Sequence, residues 1–197
     1  TDDTSGDTVW WFDFSAVTAP GTYTVRDAAY IVVSPEFRIA DDVYEEALKD
    51  AVRTFYYQRA GFAKTAPYVP AGYADGASHV GPGQDTEARQ YNLPDDASSE
   101  RELHGGWYDA GDYNKYTNWH AAYVVSRLNS YNENPAVWTD DFNIPESGNG
   151  VPDLLDEIKF GLDWLVRMQN ADGSVLSIVG LADGSPPSAA TGPSYYG

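Results

Sequence analysis

The spacing of the apolar side chains changes near residue 41, and this change limits the possible folds more than any other feature of the chain. Before it, three short segments rich in β-branched and aromatic residues predict two or three β-strands. These segments are residues 9–14, 22–25 and 30–33. After it, apolar residues recur about every 3.6 positions, which is the period of an amphipathic helix. The predicted helices cover residues 41–59, 117–131 and 151–169.

The apolar faces of the three predicted helices are too wide to be left in water. In the second helix, for example, we expect Ala121, Val124, Val125 and Leu128 to face inward. Three helices and a few strands do not supply enough surface to cover one another. The fold class is therefore predicted to be mainly α, with a short β segment before the helices and with further helices needed to complete the core.

The charge of the chain excludes several classes of partner. Thirty acidic and 12 basic side chains give a formal charge of −18. Phosphates would be repelled by this field, so we expect neither a nucleic acid nor an anionic membrane surface as a partner. No apolar run approaches the roughly 18 residues that a membrane-spanning helix needs. A neutral polymer such as a polysaccharide is compatible with the charge.

Cysteine is absent from the chain, which rules out disulfides, thiol catalysis and cysteine-ligated metals. The first residues are polar and lack the basic and apolar segments of a signal peptide. We therefore expect that this sequence carries no signal peptide, or that one was removed or left out.

The densest group of reactive side chains lies at residues 105–112, within a long irregular segment rich in Gly and Pro. Asp109 and Asp112 are separated by two small residues, which let a water or a substrate approach the backbone. One carboxylate can accept a proton from a water while the other orients that water, which is general-base hydrolysis. Neighbouring aromatic rings, including Trp107 and Tyr108, offer flat faces on which sugar rings stack.

This segment also has simpler interpretations, in which its residues have structural roles only. Asp-x-Gly-Asp is equally typical of a turn with capping aspartates. Two close carboxylates raise each other's proton affinity, so Lys115 or nearby N–H groups would have to keep the base ionised. His104 and His120 flank the motif, and each could reach a cleft or make a structural hydrogen bond.

An acidic segment before the third helix is a candidate for a structural calcium ion. Its oxygen-bearing residues are Asp140, Asp141, Asn143, Glu146, Asn149 and Asp153. Carboxylate and amide oxygens are the ligands that calcium prefers. A solvated loop that caps the following helix explains the same residues.

Four segments of the chain, in order, resemble glycoside hydrolase family nine, the inverting cellulases. The first is residues 37–44 with residues 55–61, and the second is Gly-Gly-Trp-Tyr-Asp-Ala-Gly-Asp at 105–112. The third is residues 144–157, and the fourth is Leu-Val-Arg-Met-Gln at 165–169. The resemblance implies that residues 35–197 are the N-terminal portion of an (α/α)6 barrel. Residues 1–34 resemble the last strands of the immunoglobulin-like module that precedes this barrel in many members.

The resemblance also implies an activity, namely inverting hydrolysis of β-1,4-glucosidic bonds in cellulose or β-glucan by a secreted enzyme. By motif position Asp112 is the expected catalytic base, and Asp109 is its partner in holding the water. The general acid of the family is a distant glutamate that no residue here matches. We therefore expect this chain alone to be inactive and a complementary C-terminal polypeptide to complete the barrel. No cofactor is expected to take part in the chemistry.

The chain departs from the family pattern in two places. Many relatives carry a cysteine-containing zinc site where this sequence has Ala60 and Ser78-His79, so we expect that site to be lost and His79 to be a loop hydrogen-bonder. Near the end, the histidine of the family is missing from residues 193–197. Tyr195 and Tyr196 are expected to line the sugar cleft there.

Three alternatives stay open. The protein could be an exo-acting member of the family, including a cellobiohydrolase or one that prefers glucosamine-containing chains. It could be a non-catalytic carbohydrate-binding protein, or a structural helical domain that uses Asp-Ala-Gly-Asp only as a turn.

Overall fold

The computed structural model describes residues 2–27, 29, 31–181 and 192–197. These residues form three α-helices and eight short β-strands. The helices are α1 (Glu45–Gln58), α2 (Thr117–Glu133) and α3 (Asp153–Arg167). The strands are β1 (Gly21–Tyr23), β2 (Arg26–Asp27), β3 (Val32–Val33), β4 (Phe37–Ile39), β5 (Arg89–Gln90), β6 (Lys115–Tyr116), β7 (Ile178–Leu181) and β8 (Ser194–Tyr196). The chain divides into two compact units, Thr1–Leu48 and Lys49–Gly197.

The first unit contains two small antiparallel ribbons. Strand β1 pairs with β4, and β2 pairs with β3. The strand expected at residues 9–14 does not form, and Trp10 and Trp11 are 80% and 97% exposed. Strand-forming side chains stabilise a strand only where a neighbouring backbone edge accepts its hydrogen bonds. That prediction is therefore wrong for the described residues. Extended structure at residues 22–25 and 30–33 is confirmed in part, by β1 and β3, and residue 30 of the second segment lies outside the described residues.

The three predicted helices are present in the structure. Helix α1 begins at Glu45 rather than at residue 41, because the preceding residues form turns. Helix α3 buries one face, which includes Leu154, Ile158 and Trp164. No helix in the described part of the chain combines the length and the apolar composition needed to cross a membrane.

Helix α2 differs from its predicted orientation. It packs against α3 and buries His120 and Val124. Val125 and Leu128, which were expected to face inward, are 57% and 39% exposed, and Ala121 is exposed as well. The prediction is wrong for these three residues in the described structure, because the contact with α3 uses a different face of the helix.

A four-stranded sheet, which the sequence pattern did not predict, lies in the second unit. Its strand order is β5-β8-β7-β6, with β5 and β8 parallel and the other pairs antiparallel. A core cluster joins this sheet to α3 through Trp164, Met168, Val179 and Tyr196. Strand β6 begins three positions after Asp112, the last residue of the motif, so the sheet fixes one end of the loop that carries the aspartates.

Candidate active site

Residues 106–108 of the motif run antiparallel to the residues at the end of α1 and just after it, with a bridge between Arg59 and Trp107. The N–H of Ala60 donates to the carbonyl of Gly106 at 2.8 Å, and the N–H of Tyr108 donates to that of Gln58 at 2.9 Å. Gly106 has a φ of +76°, and a Cβ there would lie 2.8 Å from the Trp164 ring, so a side chain would not fit. The motif is therefore tied to the core just before its two aspartates.

The chain then turns through residues 109–114 and presents both aspartates to solvent. The N–H of Asp109 donates to the carbonyl of Asn114 at 2.9 Å, which closes the turn. Asp109 and Asp112 are both exposed. Asp112 accepts three hydrogen bonds: from the backbone N–H of Asn114 at 3.1 Å, from its Nδ2 at 3.1 Å, and from the Tyr116 hydroxyl at 2.8 Å. These donors hold the Asp112 carboxylate in one orientation.

Trp107 lies in the interior rather than in a cleft. Its side chain is 1% exposed, and its only donor, Nε1, is used by Glu157 at 2.7 Å. The ring stacks on His120 with a centroid distance of 5.2 Å. Trp107 was expected to bind substrate, but a ring with both faces covered offers no surface to a sugar. Its contacts with Glu157 and His120 hold the backbone of the motif in place next to the aspartate loop.

The partner of Trp107 belongs to a buried ionic network. Glu157 is fully buried and accepts from Nε of Arg59 at 3.0 Å. Arg59, which is 1% exposed, also binds Glu146 at 2.9 Å. The network ties the end of α1, helix α3 and the Glu146 loop to the motif. Breaking one member would leave a buried charge without its partner, which is strongly destabilising.

Tyr108 also points inward. The side chain is 6% exposed, its hydroxyl contacts Lys64 Nζ, and it shares a hydrogen bond of 2.9 Å with Ser78 Oγ. Burial raises the pKa of Tyr108 to about 12, so the hydroxyl is neutral. Like Trp107, Tyr108 was expected to bind substrate, and its burial places it behind the loop instead.

Lys115 does not take the role considered for it from the sequence. The side chain is fully buried and forms an ion pair with Asp85. Its Nζ also donates to the carbonyl of Leu103 at 3.3 Å and to that of Gly105 at 2.7 Å. An ammonium has three donors, so none remains for Asp112. Lys115 instead fixes the backbone at Leu103 and Gly105, at the start of the motif.

A cavity of about 430 Å³ lies next to the aspartate loop. Its lining residues are Tyr91, Asn114, Ile178, Gly180, Tyr195, Tyr196 and Gly197. Asn114 therefore lines the cavity and also binds Asp112. Gly180 makes this possible, because a Cβ at that position would lie 2.3 Å from Asn114 Oδ1.

The two C-terminal tyrosines line the cavity differently. Tyr195 is half-buried and contacts the exposed Tyr91 edge-on at 6.5 Å. Tyr196 is 7% exposed, and its hydroxyl donates to the carbonyl of Ser99 at 2.7 Å. Both side chains line this cavity, and Tyr195 offers the larger exposed surface.

Three carboxylates before and within α3 could hold a metal ion. Asp140, Asp153 and Asp156 place one oxygen each within 4.8 Å of one another. Oδ1 of the buried Asp153 has no hydrogen-bond partner in the described structure, whereas Oδ2 accepts from Ser147 at 2.7 Å. Burial raises the pKa of Asp153 and of Asp156, and the negative charge of Asp140 acts in the same direction on both.

The composition of this acidic cluster differs from the expected set. Asp141 pairs with Lys49, Glu146 pairs with Arg59, and neither belongs to the cluster. Asp156 was missed, although its position three residues after Asp153 in a helix places both on one face. A buried carboxylate oxygen without a donor and two further carboxylates fit a hard divalent cation.

Comparisons with known proteins agree on one family. The profile described as "Glycosyl hydrolase family 9" matches residues 44–187. Endoglucanase D of Acetivibrio thermocellus is 34% identical over 174 residues, which cover 88% of this chain and 27% of that protein. A xyloglucan-specific endo-β-1,4-glucanase of Bacteroides ovatus is 36% identical over 83% of this chain and 27% of its own length. A solved metagenome-derived family 9 endoglucanase matches with a TM-score of 0.77 at 35% identity, over 94% of this chain and 33% of that one.

The structure places a loop with two exposed carboxylates beside a cavity lined by tyrosines. The profile match covers most of the chain, and the structural match is close over nearly all of it. The chain belongs to glycosyl hydrolase family 9. It spans about a quarter of the length of the curated relatives it matches.

Proposed function

We propose that the protein hydrolyses β-1,4-glucosidic bonds of cellulose or a related β-glucan with inversion. The observation that carries this proposal is the environment of Asp112: its exposed carboxylate is oriented by Asn114 and Tyr116, and Asn114 also lines the adjacent cavity. The relatives named as endo-acting glucanases support the substrate class.

In the proposed reaction Asp112 is the general base. It accepts a proton from a water whose oxygen bonds to the anomeric carbon while the glucosidic C–O bond breaks. Asp109 accepts a hydrogen bond from the second O–H of that water and so orients it, and this hydrogen stays on the oxygen as part of the new anomeric hydroxyl. The leaving oxygen takes a proton from a general acid that lies about 6.5–9.5 Å from the base in inverting enzymes. We assign no residue of this chain to that acid and expect it in the remainder of the complete protein.

Sugar binding is proposed to use the cavity next to the loop. Tyr195 and Tyr91 present ring surface towards it, and Asn114 supplies amide groups for hydroxyls. Trp107 and Tyr108 act from the interior by shaping the loop. We therefore propose that the sugar contacts Tyr195 and its neighbours at the cavity, and that it does not contact Trp107 or Tyr108.

The test uses the complete protein and a soluble β-1,4-glucan. Asp112→Asn and Asp109→Asn should each lower kcat by several powers of ten, while the exposed Asp95→Asn serves as the control. The anomer formed first, followed by NMR, should be the inverted one. Unchanged hydrolysis by Asp112→Asn would refute the proposed role. Binding of glucan without any turnover by the wild type would favour a carbohydrate-binding protein, and the products from a short oligosaccharide separate endo from exo action.

We also propose how this chain fits into the complete protein. Residues 35–197 would be the first part of an (α/α)6 barrel, and a complementary C-terminal polypeptide would cover α2 where Val125 and Leu128 are exposed. Residues 1–34 would be the end of an immunoglobulin-like module, supported by the antiparallel pairing of β2 with β3 within this range. Secretion is expected for an enzyme that acts on an insoluble polymer. The intact mass of the purified protein tests the first statement, and its fractionation with culture medium tests the last.

A structural calcium ion is proposed at Asp140, Asp153 and Asp156. The unpaired, buried Oδ1 of Asp153 supports it, because a carboxylate oxygen without a donor is costly unless a cation balances it. The Oδ atoms of Asp140 also accept from the N–H groups of Gly148 and Gly150, at 2.7 Å each, which orders the loop around the cluster. The ion would hold the loop to α3 and would take no part in the hydrolysis.

A further inference from the structure

Three buried polar side chains lie directly beneath the aspartate loop. Lys64, Ser78 and His79 are 1%, 0% and 2% exposed. Their segment is folded back on itself, since Lys64 and Asp75 exchange backbone hydrogen bonds of 2.9 and 3.0 Å. The N–H of Gly61 donates to the carbonyl of Ser78 at 3.1 Å, which joins this segment to the end of α1. These backbone hydrogen bonds fix the positions from which the three side chains extend.

Two of them hold the residue just before Asp109. Lys64 Nζ donates to the hydroxyl of Tyr108, and Ser78 Oγ shares a second hydrogen bond with it at 2.9 Å. Burial lowers the pKa of Lys64 to about 8, while Asp75 acts in the opposite direction, so Nζ is charged at neutral pH. A hydrogen bond from a charged donor is about twice as strong as a neutral one.

The third holds the residue just after Asp112. His79 Nε2 lies 3.1 Å from the carbonyl of Tyr113, and burial lowers the pKa of His79, so the ring is neutral and Nε2–H donates. Tyr113 has a φ of 54°, a left-handed conformation that a tyrosine adopts only when its surroundings hold it there. The His79 ring also stacks on Tyr108 at a centroid distance of 5.5 Å. One histidine thus contacts both ends of the turn.

We propose that Lys64, Ser78 and His79 form a positioning clamp that grips the loop on both sides of Asp109 and Asp112 and sets the placement of the two carboxylates. The clamp touches neither carboxylate, so its members are positioning residues, and their role rests on the proposed hydrolysis. A displacement of about 1 Å in a reacting group can cost a hundredfold in rate. The clamp explains why a tyrosine next to a catalytic aspartate is buried.

Removing the shared hydroxyl or the ammonium should lower kcat without weakening substrate binding. We expect Tyr108→Phe and Lys64→Met each to lower kcat on a soluble β-glucan by about tenfold, with KM changed less than about twofold. The double variant should be no slower than the worse single variant, because both remove the same contact. Each rate is expressed per folded molecule, and Tyr44→Phe, a change at an exposed tyrosine, is the control.

A conservative pair tests the other end of the clamp. His79→Gln keeps an N–H donor near the position of Nε2 and should retain most of kcat, whereas His79→Leu should lose about as much as Tyr108→Phe. Wild-type kcat in folded Tyr108→Phe and His79→Leu would overturn the clamp. Independent, multiplying losses in the double variant would overturn it too. If Asp112→Asn hydrolyses β-glucan as well as the wild type does, the proposed function fails instead, and the two results are distinguishable.

Discussion

The backbone N–H of Trp107 donates a hydrogen bond of 2.8 Å to Nε2 of His120, and this contact requires a neutral imidazole. The proton of the ring is then on Nδ1, which donates to the carbonyl of Tyr116 at 2.8 Å. His120 therefore links the segment before the aspartates to the strand after them. Protonation of Nε2 would replace an acceptor with a donor facing another donor.

The first prediction concerns acid stability. Burial lowers the pKa of His120 to about 4 from its ordinary value of 6.5. Between these values the unfolded chain binds more protons, so the free energy of unfolding falls as the pH decreases from 6.5 to 4. The loss attributable to His120 should approach about 3 kcal/mol.

Comparison of variants isolates this contribution. Burial raises the pKa of Glu157 and Asp153, so the total pH dependence has several sources. The difference in melting temperature between the wild type and His120→Gln should therefore shrink on going from pH 7.5 to pH 4.5. His104→Gln, at an exposed histidine, is the control. A difference that stays constant with pH would show that His120 titrates normally.

The second prediction concerns the contact of α3 with the motif. A Cβ at Gly161 would lie 2.0 Å from the Trp107 ring. Alanine would otherwise favour the helix by up to about 1 kcal/mol, but the overlap forces the ring and its bond to Glu157 to move. We expect Gly161→Ala to lower the free energy of unfolding by about 1–3 kcal/mol in a denaturant titration. Gly72→Ala, where a Cβ meets nothing within 4 Å, should be nearly neutral.

Elements that depend on residues close together in the sequence could be predicted from it, whereas those that depend on residues far apart in the sequence could not. Helix α3 could be predicted because the apolar residues of its segment recur with the period of an amphipathic helix. The sheet is not readable, since β5 and β8 are two and three residues long and lie about a hundred positions apart. No local pattern encodes such a pairing.

The candidate site also combines features that nearby residues determine with features that distant residues determine. The exposed pair Asp109 and Asp112 is a local motif, and sequence analysis located it. The burial of Trp107 depends on Gly161 and Glu157, which are about fifty positions away. An aromatic residue next to an aspartate is typical both of a sugar-binding surface and of a support behind a loop. Only the position of α3 distinguishes the two.

The third prediction concerns the proposed calcium ion. Calcium should raise the melting temperature of the wild type, and a chelator should reverse the effect, since a ligand at about a hundred times its Kd adds about 2.7 kcal/mol. Asp153→Asn and Asp156→Asn should abolish the response. Asp141→Asn, which alters a carboxylate paired with Lys49 outside the cluster, should retain it. An equal response in all four proteins would place the ion elsewhere.

The fourth prediction tests the connection between the cavity and Asp112. Asn114 occupies the space that a Cβ at Gly180 would need, at 2.3 Å from its Oδ1. Gly180→Ala should therefore displace Asn114 and remove its Nδ2 contact of 3.1 Å with Asp112. We expect kcat on soluble β-glucan to fall about tenfold, because a carboxylate that loses one of its orienting donors reaches the water less often in the right geometry. Asn114→Ala should reproduce the loss without crowding the cavity. If Gly180→Ala is slow but Asn114→Ala is not, the glycine acts through the shape of the cavity, and Asn114 does not orient the base.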